Sequence, residues 1–471
     1  MRINTTIEPL KDPNDFSQGS IPRAILRMAF PLICAQVLNA LYNIVDRMYI
    51  GRIPGTGRDA LTGLGICFPI ITLINAFTVL AGNGGAPLAA IERGAGDLPR
   101  AQRIMCNSFT LLIIFSALCT TFFFIIKRPA LSAFGASEVT LPYADSYLSI
   151  FLLGTPAVMI SVGMNPFINT QGFAKFGMMT IAIGAVLNTL LDPLFIFVFG
   201  LGVRGAALAS ALSQYASAAW ALRFLTGKRA TLRLNIRDMR PDPSIIRRVL
   251  ALGFSNFVMS LTESAVQLTL NSALALFGGD LYVGIMTVVN SIRQVVMLPV
   301  SGFAQAASPV IGFNYGAKRY GRVKSAVRFM MVGCFTYSIL AWAATMLAPA
   351  ALIRVFNQDA ALVANGAESV RQYFALFFMI SLQMVGQNGF LALGKAKHAI
   401  FFSFLRKGAI VIPMALLLPR LGLGVAGVFL AEPVSDVVGS TACFITFMIT
   451  QWRMLTRRER ERVAEPSASQ I

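Results

Sequence analysis

Four polar side chains in the first long apolar stretch, Gln36, Asn39, Asn43 and Asp46, recur at steps of three, four and three. On a helix that spacing puts them on one face, which must look away from an apolar solvent. A second set, Asn188 and Asp192, lies one helical turn apart in Asn188-Thr189-Leu190-Leu191-Asp192-Pro193. A carboxylate inside a hydrocarbon layer costs about 2.5–3.5 kcal/mol, so each needs a reason to be there. A carboxylate beside amide and hydroxyl oxygens suits a hard monovalent cation, which wants oxygen ligands, or a proton held by an acid withdrawn from water. The same residues also suit plain hydrogen bonds between packed helices, which membrane bundles use freely.

Other charged groups inside apolar stretches are fewer. Glu263 and Arg293 are expected to form an ion pair or to share a water-filled cavity. Glu432 and Asp436, one turn apart beside Pro433, read as a second site or as residues at the mouth of a cleft. Nucleotide-driven and hydrolytic chemistry lack their parts. Gly82-Asn83-Gly84-Gly85 has no lysine after it and so is no phosphate loop, and no HExxH or GxSxG occurs. His398, the sole histidine, reads as a polar loop residue at an inner helix start. The six cysteines have no CxxC spacing and read as small apolar packing residues. The chain is therefore not expected to be an enzyme or to hold a cofactor.

The elements that position these residues follow from composition. Of 471 residues 56% are hydrophobic and only 13% charged, against about a quarter charged in soluble domains. Apolar runs long enough to cross a hydrocarbon core of about 30 Å recur along the chain, for example 104–126 and 373–393. The fold class expected is an all-α membrane protein with twelve transmembrane helices. Spans are placed at 24–46, 60–82, 104–126, 143–164, 177–199 and 205–225, then 249–276, 283–308, 329–348, 370–393, 398–418 and 425–451. The first twenty residues are polar, without the apolar core of a cleavable signal.

The net charge of +19 is explained by topology and does not call for nucleic acid as a partner. With the N-terminus inside, inner segments carry 30 Lys and Arg, four of them assigned to the loop between spans ten and eleven, and outer loops carry 9. Arg293 alone is placed well inside a span. The positive-inside rule then puts both termini in the cytoplasm of a multi-pass bacterial inner-membrane protein.

Sliding the sequence against itself by 222 positions aligns its punctuation. Pro87 meets Pro309, Gly94-Ala95 meets Gly316-Ala317, Gly172 meets Gly394, and Gly200-Leu201-Gly202-Val203 meets Gly422-Leu423-Gly424-Val425. Six spans per half is an even number, so the repeats are parallel and related by an axis along the membrane normal. The expected organisation is an N-terminal tail (1–23), an N-lobe (24–226), a charged linker (227–248) too polar to be buried, a C-lobe (249–451) and a C-terminal tail (452–471). The acids do not repeat: Asp46 falls on Leu268 and Asp192 on Met414, which concentrates any coupling chemistry in the N-lobe.

On these residues the chain resembles the multidrug and toxic compound extrusion (MATE) family, in its bacterial drug-extrusion branch. The carriers are Asn43-Ile44-Val45-Asp46, Gly94-Ala95-Gly96-Asp97, Gln171-Gly172, Leu187 to Phe197, Gly202-Val203-Arg204-Gly205-Ala206-Ala207 and Pro309 to Ala317. The resemblance covers 24–450. It implies a V-shaped two-lobe antiporter that exchanges H⁺ or Na⁺ for amphiphilic, often cationic compounds. Asp46 and Asp192 match the family's N-lobe acids, with Tyr42 and Asn188 as their polar partners and Ser210 where a threonine is common. Asp46, Asn188 and Asp192 would be the metal ligands if the ion is Na⁺. Glu263 matches the seventh-helix acid of some members, whereas Ser381 stands where others have a tenth-helix aspartate.

The leading expectation is therefore multidrug efflux by alternating access. The cleft would take drug-like molecules and be lined in part by Glu263, Arg293, Asn39 and Asn43. The protein would work as a monomer, with the lipid bilayer as its surroundings. The alternative is a lipid-linked sugar flippase, disfavoured because such a cargo needs a strongly cationic cleft.

Overall fold

The computed structural model describes residues 15–356 and 358–468, so residues 1–14 of the N-terminal tail and 469–471 of the C-terminal tail lie outside it. Among the described residues, twelve helices make up the membrane-spanning fold. Six form the first lobe: α1 (Ile21–Gly51), α2 (Gly57–Gly94), α3 (Leu98–Ala133), α4 (Leu141–Thr170), α5 (Ala174–Pro193) and α6 (Gly202–Thr226). The helix Pro243–Gly316 is two spans joined at Gly279, whose φ of 70° breaks it into α7 (243–278) and α8 (280–316). Then come α9 (Tyr320–Leu347), α10 (Ala360–Ala392), α11 (396–421) and α12 (424–468). No strand occurs among the described residues.

Local chemistry starts these helices. Pro22, Pro99, Pro142 and Pro243 stand in first turns, where the missing N–H costs nothing. Asp97 caps α3 by accepting from the Arg100 amide at 3.0 Å, and Asp359 caps α10 by accepting from the Leu362 amide at 2.9 Å. Asp242 caps α7 in the same way, and bonds from Ser244 hold its carboxyl below the usual carboxylate range.

The repeat is one of backbone as well as of sequence. Gly172 and Gly394, 222 positions apart, both adopt positive φ, 84° and 69°. Gly96 at 86° is matched by Lys318 at 57°, the one non-glycine residue with positive φ among those described. A left-handed residue at the same joint in both lobes, even where one lobe puts a lysine there, means that the joint is required by the packing.

The lobes meet at the end of the bundle nearest the termini. A methyl group added to Gly94 of α2 would strike the Phe313 backbone of α8, and one added to Gly316 of α8 would strike the Ile91 backbone of α2. Ile91 and Phe313 are themselves 222 apart, so one contact is the symmetry mate of the other. Gly84 and Gly253 bring α2 and α7 together similarly, and Gly302 brings α8 onto Ile33 of α1. These are small-residue seams of the kind that let membrane helices approach closely.

Two expectations about boundaries need correction. The start of α1 (Ile21, Ile25, Met28, Leu32) is buried in the core of the second lobe, and the start of α7 (Ile245, Val249, Leu252) in that of the first. Each lobe thus borrows the entry turn of the other's first helix. The linker is not a free polar strap either: Ala230 and Leu232 are buried, and Leu232 N donates to Gln171 Oε1 at 2.8 Å. Asn107 Oδ1 accepts from Asp242 N at 2.8 Å, and Gln102 Nε2 donates to Asp238 Oδ2 at 2.7 Å. Its charges face out while its backbone is satisfied by the polar ends of α3 and α4.

Candidate cation site and the second-lobe charge network

In the first lobe α1 packs along α5, which carries Asp46 and Asp192 toward each other. Both are buried, Asp46 at 7% exposure and Asp192 at 0%, and the two carboxyl groups are close enough to act on one another electrostatically. Asn188 binds the cluster together: its Nδ2 donates to Asp192 Oδ1 at 3.3 Å and to Ser210 Oγ of α6 at 3.1 Å. Tyr42, one turn before Asp46, lies beside Asp46 and Ser210. Three acceptors remain buried without a protein partner: Asp46 Oδ1, Asn188 Oδ1 and Asp192 Oδ2. Buried oxygens are ordinarily bonded. A set of three from two helices is the donor chemistry that a monovalent cation or a shared proton satisfies.

The structure thus brings together Tyr42, Asp46, Asn188, Asp192 and Ser210. It does not bring in the rest of the polar face of α1. Asn39 and Asn43 are exposed, and Asn43 Nδ2 donates to the Asn39 carbonyl at 2.6 Å. Of the four residues expected on one sheltered face, Asp46 alone is buried. Tyr147 of α4, buried beside Asp46 and Tyr42, completes the wall; its spacing in the sequence carries no signal of this.

The second lobe holds a ladder of ions. Glu263 of α7, with half its side chain exposed, lies 3.3 Å from Arg293 of α8, which lies 3.9 Å from Glu432 of α12. Glu432 in turn takes a 2.5 Å bond from Lys407 of α11. Beside it Arg406 is 2.6 Å from Asp436, and Ser435 Oγ donates to the Arg406 carbonyl at 2.7 Å. This corrects the count of four cations in the loop between spans ten and eleven, which took in Arg406 and Lys407 along with Lys395 and Lys397, and the placing of Arg293 alone inside a span. Arg406 and Lys407 are 6% and 3% exposed, within α11. They sit on a π-helical stretch, Leu405–Val411, and such widened turns often mark functional sites. Register could have found them, since 222 positions earlier lie Gly184 and Ala185, in the middle of the fifth span.

Glu432 and Asp436 are accordingly deep in the lobe and not at a cleft mouth. Ser381 is buried, and its hydroxyl donates to the Phe378 carbonyl of its own helix at 2.7 Å. His398 is no loop residue: it lies in the first turn of α11, stacked on Phe390 at 4.9 Å. All six cysteines are free, and five of them are buried.

Two parallel six-helix lobes, joined at one end and each with a polar cluster in its core, are a membrane-transporter architecture. The chain belongs to the MatE family, whose model matches residues 31–194 and again 256–417, once per lobe. Among curated proteins it is similar to the multidrug export protein MepA of Staphylococcus haemolyticus, 22% identical over 441 residues, covering 92% of this chain and 95% of that one. The MepA of Staphylococcus aureus strain NCTC 8325 is 21% identical, with 93% and 96% covered. Among solved structures it superposes on an outward-facing multidrug resistance MATE transporter with a TM-score of 0.88, at 22% identity over 96% of this chain and all of that one. A transporter from Pyrococcus furiosus, described as having a binding pocket of reverse polarity, gives 0.87 at 23% identity, with 96% of this chain and all of that one covered.

Proposed function

We infer that this protein is a secondary active antiporter of the bacterial inner membrane. It exports small amphiphilic or cationic organic compounds in exchange for H⁺ or Na⁺. The observation that carries this reading is the buried Asp46–Asp192 pair with its three unpartnered oxygens, held by Asn188 and Ser210. Without an ion or proton, two adjacent buried carboxyl groups repel and lack solvation; with one, the site is satisfied. An ion bound there biases the arrangement of the lobes by the difference in its affinity between the two open states. The basic segments at the seam end support a cytoplasmic position for both termini. The cargo enters the cleft beside Glu263, Arg293, Asn39 and Asn43, and neither cofactor nor nucleic acid takes part.

A flippase for a lipid-linked anion fits less well. The three second-lobe cations could suggest one, but each is matched by an acid, so the cleft wall offers no net positive charge.

The test is uptake of a cationic dye into inverted vesicles under an imposed pH gradient or an imposed sodium gradient. One gradient is expected to drive uptake, and Asp46→Asn and Asp192→Asn each to abolish it while the protein remains in the membrane. Undiminished uptake by both variants would remove the site from the mechanism.

A further inference from the structure

The repeat sets the polar clusters of the two lobes in register. In the first lobe α5 is tied to α6 by the bond from the Asn188 amide to the Ser210 hydroxyl, 3.1 Å. Shifted by 222, Ser210 falls on Glu432. There α11 is tied to α12 by the bond from the Lys407 ammonium to Glu432, 2.5 Å. Lys407 is the counterpart of Ala185, one turn before Asn188. An amide-to-hydroxyl bond in one lobe is an ammonium-to-carboxylate bond at the same joint of the other. The remaining first-lobe ligands have no second-lobe equivalents: Asp46, Asn188 and Asp192 fall on Leu268, Ile410 and Met414.

We propose that the Lys407 ammonium is a tethered cation: it fills the second-lobe joint equivalent to the first lobe's cation site, keeps Glu432 charged and paired, and so confines ion exchange to the first lobe. The equivalence rests on the reading of the first lobe given above. An exchangeable ion must bind in one state and leave in the other. An ammonium fixed to a buried helix, 3% exposed, cannot leave.

The groups around Lys407 come from every helix packed there. Glu432 and Asp436 face it from α12, Arg293 from α8 and Glu263 from α7, with Arg406 on its own helix; Tyr373 of α10 lies beyond, beside Arg293 and Glu432, and Cys443 beyond Arg406. Arg293, Arg406 and Lys407 balance Glu263, Glu432 and Asp436. That neutrality lasts only while the Lys407 ammonium is present. Without it Glu432 keeps one cation, Arg293 at 3.9 Å, which it shares with Glu263. The cluster then carries an excess negative charge in a dry interior, a situation relieved by taking up a proton.

The experiment measures proton uptake by purified full-length protein in weakly buffered detergent solution, read with a pH-indicator dye after an acid jump. In the Asp46→Asn/Asp192→Asn background, Lys407→Met is expected to add one uptake step per protein, and adding Glu432→Leu to remove it. Lys407→Gln, which keeps a donor for Glu432, takes its place if the methionine variant does not insert stably. The proposal is overturned if removing the ammonium adds no uptake, or if the added uptake survives Glu432→Leu. The first-lobe reading is judged separately, with Lys407 intact. Equal uptake by wild type and the double asparagine variant would sink that reading and leave the Lys407 comparison standing.

Discussion

In the first lobe the buried polar groups end in oxygens without partners: Asp46 Oδ1, Asn188 Oδ1 and Asp192 Oδ2. In the second lobe the two deepest carboxylates each meet a cation, Glu432 from Lys407 at 2.5 Å and Asp436 from Arg406 at 2.6 Å. The two lobes share a backbone to the level of left-handed joints, and both bury acids. What separates them is whether a fixed counter-charge is built in. A buried acid without a fixed partner must borrow one, and borrowing is what couples a protein to an ion gradient. A buried acid with a fixed partner gains specificity of packing at best, since ion pairs in low dielectric roughly offset their own desolvation.

The largest expected effect breaks the comparison on the open side. Asp192→Asn, and equally Asp46→Asn, abolishes gradient-driven dye transport while membrane yield stays at the wild-type level, measured in the same vesicles. Next comes the closed side. Glu432→Leu alone leaves Lys407 without its carboxylate and destabilises the protein by about 3–5 kcal/mol, read as a fall in the thermal midpoint. Lys407→Met/Glu432→Leu together removes both charges and is expected to recover most of that loss. If the single and double variants melt alike, the pair is not the unit described here.

A smaller effect probes the scaffold that both lobes share. Gly94→Leu forces the α2–α8 seam apart at the Phe313 backbone and costs about 1–3 kcal/mol as overpacking. Gly316→Leu does the same from the other side. Hydrogen exchange across residues 84–94 and 249–253 should rise in both variants, and to a similar extent if the two contacts are symmetry mates. The smallest effect lies at the rim of the Asp46–Asp192 cluster. Ser210→Ala removes one acceptor from the Asn188 amide and is expected to weaken ion-dependent transport by about 1 kcal/mol, roughly fivefold. Ser210→Thr, which keeps the hydroxyl, should behave as wild type in the same assay.

The spans, their number and their pairing by a 222-residue shift were legible in the sequence, because hydropathy and helix punctuation are local properties that repeat with the chain. Asp46, Asn188 and Asp192 were legible for the same reason: an acid or amide in an apolar run is conspicuous wherever the helix packs. Three things needed the tertiary structure. Arg406 and Lys407 read as loop cations, since positive charge near a helix end usually marks the cytoplasmic side; only packing against Glu432 and Asp436 makes their burial tolerable. Asn39 and Asn43 share a helix face with Asp46, but of the three Asp46 alone is buried, and helical spacing does not decide which turns of a face are covered. The lobe boundary, too, crosses α1 and α7 instead of falling between segments, because the entry turns are buried in the opposite lobe. A sequence sets which groups cannot face lipid. Which partner each of them finds is a matter of helices distant in the chain, and the fold alone brings those together.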